Sequence, residues 1–280
     1  VLVFEGKGFP AAAQEELKRF SAELEQHAQG GAVEARLIVA ESQPGGITST
    51  MRETLRAYMK ADEFARWNET QEGRTVATAG KTFMADDEVV TAVLLPMPDM
   101  AQELLDLAAH EIIEMARLGP KDGSAWRPDD PDEADGLVLF DEYRNERVRQ
   151  EIRQRLGWPE GQLDAVLGVA GMAEEIAARM PPNRLDPPPI EFYGAWLEMA
   201  QVWSMASGRA DAGSESAMAD LAHWADTSLV AYQGWQPVAE VVRDLYGQPW
   251  LDAGTLAPIL AERVRRPVLE YGRTAWRKGP

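Results

Sequence analysis

The pattern of apolar and polar positions changes character partway along the chain. Over roughly the first 150 residues, short β-like apolar runs alternate with stretches of helical period. In the last hundred or so residues only the helical period remains. "VLVFEG", Val1 to Gly6, is an apolar run closed by glycine and reads as a buried strand. Pro10 opens a helix that Gly30 and Gly31 end. "AVEARLIVAE" has the β-branched alternation of a second strand. A helix is expected from about Thr48 to Trp67, with Ser49 or Thr50 as its cap and Glu53 in the capping-box position. "GRTVATAGKTFMADDEVVTAVLLP" predicts two or three strands, with turns at Gly80 and at Asp86-Asp87, and Pro96 and Pro98 stop the last of them.

A helix then runs from Asp99, its expected N-cap, to Arg117 and Leu118, where Gly119-Pro120 stops it. Lys121 to Gly136 is polar and proline-rich and reads as a long loop. Another amphipathic helix spans Leu137 to about Leu156. Beyond Pro159, "GQLDAVLGVAGMAEEIAARM" is helical and "PPNRLDPPP" is a stiff linker. Four more helical stretches complete the chain. The expected fold class is α+β: a mixed domain over residues 1–157, followed by an all-helical domain over 158–280.

Composition narrows what such a chain can do. Its 280 residues are enough for one large domain or two ordinary ones, and they bury a core without staples. There is no cysteine, which excludes disulfides, thiolate metal sites and a cysteine nucleophile. The formal net charge of −18 repels phosphate backbones, so neither a nucleic acid nor an anionic membrane surface is expected as a partner. No apolar run is long enough to span a bilayer, and the first ten residues lack the basic region and cleavage site of a signal peptide. The expected location is therefore the cytoplasm. Oligomeric state leaves no trace in the sequence.

The helix "LLDLAAHEIIEMARLGP" carries one of only three histidines. At 100° per residue, Leu105, Ala108, Ala109, Ile112 and Ala116 share one face, and Glu103, His110, Glu114 and Arg117 fall opposite. His110 and Glu114 lie one turn apart and can converge on one point, with Glu111 flanking them. Two ligands at i and i+4, with a glutamate directly after the first, are the arrangement a metallohydrolase uses. A third ligand has to come from another element, and "FDEYRNERV" offers Glu142 and, one turn on, Glu146. The same residues also fit an ordinary solvated acidic face, with Glu114 and Arg117 as an i,i+3 ion pair.

This order of strand, His-Glu helix and following acidic helix resembles the zincin metallopeptidases, specifically the gluzincin branch. The resemblance covers about Val89 to Leu156. It implies a peptidase-like hydrolase in which "VVTAVLL" is the strand before the active helix and lines the cleft. His110 would be the first ligand, Glu111 the general base, Glu142 the third ligand and Glu146 the outer acid that orients the histidine. The chain departs from the pattern at Glu114, where the family has a second histidine. A His-Glu-Glu set still fits Zn²⁺, and two carboxylates shift preference toward the harder Mn²⁺ or Fe²⁺. A scaffold that has lost its metal and binds another protein is the alternative. The expected partner is a peptide or protein, as substrate or as binding partner.

Other candidates are weaker. "AGKTF" lacks the upstream glycine of a phosphate loop, since residue 75 is Thr, and reads as a hairpin turn. His27 ends a charged helix and is expected in solvent. His223, with Asp220 and Asp226 three residues to either side, reads as a structural histidine or a weak cation site. No serine stands in a G-x-S-x-G setting. Trp196 and Trp203 are seven apart, hence on one helix face, where they serve as core or line an apolar groove.

Overall fold

A computed structural model describes residues 2–5, 9–31, 33–44, 46–71, 80–85, 87, 89–95, 101–118, 130–159, 188, 190–227, 229–248 and 253–278. The fold is α+β: a mixed four-stranded sheet with helices, followed by a helical C-terminal region. The strands are β1 (Leu2–Glu5), β2 (Ala35–Val39), β3 (Gly80–Met84) and β4 (Val90–Leu94), in the spatial order β1-β2-β4-β3. β1, β2 and β4 run parallel, and β3 pairs antiparallel on β4. The parallel pairs need crossovers. Helix α1 (Ala11–Gln26) makes the first, and α2 (Gly46–Tyr58) and α3 (Ala61–Gln71) lie between β2 and β3. The β3–β4 turn closes with the Ala85 N–H donating to the Val89 carbonyl at 3.0 Å.

Strand parity decides which helix meets which residues. β4 is buried at all five positions, as expected of a strand covered on both faces. On one face Ile38, Ala40, Val93 and Leu95 join Phe83 and Ala85 under Met51, Leu55 and Met59 of the α2 segment. On the other face lies α4 (Ala101–Leu118), which packs against β3, β4 and α1. Leu104, Ala108, Ala109, Ile112, Ile113 and Met115 are its buried apolar positions. Each of the Leu, Ile and Met side chains contributes about 1.5–3 kcal/mol of burial, so α4 is fixed by its packing as much as by its own propensity.

The C-terminal helices are α5 (Pro131–Leu156), α6 (Ile190–Asp211), α7 (Glu215–Thr227), α8 (Leu229–Tyr246), α9 (Ala253–Leu260) and α10 (Arg266–Lys278). A single π-helical turn, Ala261–Arg265, joins the last two. It precedes Pro267, whose missing N–H cannot continue the α-helical ladder. Within this region α6 comes close to α5 at Gly208, where a Cβ would stand 2.1 Å from the Tyr143 carbonyl oxygen. Tyr143 donates to Asp211 at 2.7 Å, and Tyr246 donates to Glu151 at 3.1 Å.

The chain forms two compact units, Val1–Gly123 with Ile152–Gln162, and Ser124–Glu151 with Leu163–Pro280. α5 is one continuous helix counted in both. Among the described residues no helix is long and apolar enough to cross a membrane.

Several local expectations are corrected. The helix expected over Thr48–Trp67 is two helices, because Met59 leaves the helical path to bridge Ala85. Thr50 is no cap. It lies inside α2 and accepts the Gln43 N–H at 2.9 Å. Gly80 starts a strand rather than a turn. α5 begins at Pro131, six residues before the expected start, with Asp130 accepting the Asp132 N–H at 2.8 Å and acidic residues in its first turn. His27 is buried, not solvated, and its Nδ1 accepts the Gln29 N–H at 3.1 Å. The helix expected from Gly161, the linker up to Pro187 and any strand before Gly80 lie outside the described residues.

Candidate metal centre

The candidate ligands are His110, Glu114 and Glu142. One nitrogen of His110 and one carboxylate oxygen each of Glu114 and Glu142 all lie within 4.8 Å of one another. His110 and Glu114 meet because four residues of α-helix bring side chains to the same side one turn apart. Their Nε2 and Oε1 stand 3.7 Å apart. Glu142 lies on α5, in the other compact unit, while the last turn of α5 is counted with α4. There Arg153 pairs with Asp106 at 3.2 Å, and both side chains are 2% exposed. A buried pair of this kind holds position strictly, since loss of either partner strands a charge away from water.

A freely solvated acidic face is not what the structure builds here. The His110 side chain is 11% exposed and that of Glu114 33%. Glu111 is buried outright. A helix packed against a sheet on one side and α1 on another keeps little free circumference, and His110 is largely covered while Glu114 stays partly exposed. The Arg117 side chain, the expected surface partner of Glu114, lies outside the described residues.

Glu111 is held from β3. The Thr82 hydroxyl donates to its carboxylate, and a Cβ on Gly80 would stand 2.3 Å from Glu111 Oε1. Both contacts follow from strand parity: Gly80 and Thr82 share the α4 side of β3, while Phe83 faces the α2 side. Any side chain at position 80 would displace the carboxylate. Burial, with the charge of Glu114 next in weight, pushes the Glu111 carboxyl up from 4.5 to about 7. His110, the Thr82 hydroxyl and Lys81 pull the other way. The Coulombic influence of both His110 and Glu114 puts Glu111 in the same electrostatic cluster as the ligand atoms.

Glu146 is completely buried and accepts a hydrogen bond from Arg149 on its own helix. Arg144 and Asn145 are buried as well. Sequence reasoning singled out His110, Glu111, Glu114, Glu142 and Glu146 and missed the β3 residues. Thr82 and Gly80 sat in a segment read as a turn. The alternation of small or polar residues at 80 and 82 with apolar residues at 83 and 85 was the available signal.

His223 is exposed on α7, and His27 contributes to no cluster of this kind. Among the described residues, His110, Glu114 and Glu142 are the single group of three potential ligands. The donor set fits a divalent cation: one imidazole and two carboxylates, partly shielded from water. Bonds near 2.1 Å put ligand atoms roughly 3–4 Å apart, so side-chain adjustment on the order of 1 Å brings the three into range. No family profile, no curated protein and no solved structure matches the chain.

Proposed function

We propose that the protein is a metal-dependent hydrolase of zincin-like plan, acting on a peptide bond. The observation that carries the reading is the convergence of His110, Glu114 and Glu142 beside a buried Glu111. His110 supplies the imidazole ligand, and Glu114 and Glu142 supply carboxylate oxygens. A bound divalent ion would lower the pKa of its water toward neutrality and polarise the substrate carbonyl.

Glu111 is the proton acceptor. A general base works best with a pKa near the working pH, and a carboxyl near 7 is close to that condition. Thr82 fixes the carboxylate's orientation and Gly80 leaves it room. Glu146, tied to Arg149 within α5, holds its helix face by a buried pair rather than by exposure. The two carboxylate ligands make the set harder than one with two histidines, which favours Mn²⁺ or Fe²⁺ beside Zn²⁺.

A peptide substrate rests on the resemblance of the strand and helix order to zincins. The competing reading is a scaffold that has lost its metal and serves as a protein-binding module. It draws on the His110–Glu114 pair, which partly satisfies both groups without an ion.

Titration of chelator-treated protein with Zn²⁺, Mn²⁺ and Fe²⁺ tests the proposal. One ion bound per chain in wild type, and none in His110→Ala, is the expected result. Absence of binding by all three ions at millimolar concentration removes the catalytic reading and leaves the binding module.

A further inference from the structure

We draw no further inference here: the strongest candidate, the buried polar cluster at Arg144 and Asn145 on α5, where the Asn145 Oδ1 accepts from Arg144 and its amide nitrogen has no hydrogen-bond partner, carries nothing because the structure does not show what that nitrogen faces.

Discussion

Two of the three histidines sit on helices with acidic neighbours at helical spacing, and their surroundings part company. His110 on α4 is enclosed, stands 3.7 Å from Glu114, and has Glu142 from α5 within 4.8 Å. His223 on α7 is exposed, with Asp220 and Asp226 on the same helix, and among the described residues it belongs to no group of three converging ligands. One helix can always supply a pair of ligands. A third ligand, and a site shielded from competing water, come only from packing. The comparison makes the three-residue cluster the place to look for a bound ion and the exposed histidine its internal control.

The largest expected effect falls on Glu111. Glu111→Gln keeps the size of the side chain and the contact with Thr82 while removing the proposed proton acceptor. Hydrolysis of a quenched-fluorescent peptide library by the metal-loaded protein should fall about 10²- to 10⁴-fold, with one ion per chain retained. Activity within a few-fold of wild type would take the base role away from it. Next comes His110→Ala, for which elemental analysis should show loss of the ion. Wild type at a metal concentration 100 times its dissociation constant gains about 2.7 kcal/mol of stability. His110→Ala should gain none of it, read as a missing metal-induced rise in melting temperature.

Third is the pair that ties α5 to α4. Arg153→Ala leaves Asp106 as an uncompensated buried charge, and chemical denaturation should show a loss of about 3–5 kcal/mol. Arg153→Met with Asp106→Leu should recover most of it, because the desolvation penalty then disappears from both sides. A loss below 1 kcal/mol in the single variant would mean that water reaches Asp106, and the enclosure argued for this end of α4 would fail.

The α4 cluster also shows what the sequence made legible and what it did not. His110, Glu111 and Glu114 stood out because three local positions carry their own geometry once a helix is granted. Glu142 is named as a ligand only by the resemblance to the gluzincin order, since α5 carries several acids and its periodicity alone does not choose among them. The sequence did not disclose that His110 and Glu111 are covered: an amphipathic stripe says which side is apolar, not how much of the polar side meets water. Thr82 and Gly80 were hidden for a related reason. Their role depends on β3 pairing antiparallel with β4, a register that glycine in a polar segment does not signal. The early start of α5 was masked by Pro131, which punctuates loops and equally opens helices. The break at Met59 depends on a bridge to Ala85, a contact no local window contains.

The fourth prediction separates the clusters by pH in the metal-free protein. The Glu111 carboxyl lies near 7 when folded and at an ordinary 4.5 when unfolded. Between those values the folded state holds the extra proton, so stability falls as pH rises and levels off above about 7. The full change is a few kcal/mol, measured as the urea midpoint from pH 4.5 to 8. Glu111→Gln should flatten this component of the profile. An unchanged slope in that variant would assign the titration to other groups.

The smallest effect is expected at the control. His223 is exposed on α7, so its ring gives up little water on folding, and Asp226 beside it is exposed as well. Carboxylates in that setting keep their hydration and gain little from a cation, since two ligands on one helix leave the ion mostly to solvent. His223→Ala should change stability by less than about 0.5 kcal/mol and leave ion content, activity and the pH profile as in wild type. Loss of the bound ion in His223→Ala, with the ion kept in His110→Ala, would reverse the assignment. Spacing on a single exposed helix would then have sufficed where an enclosed convergence of two helices did not.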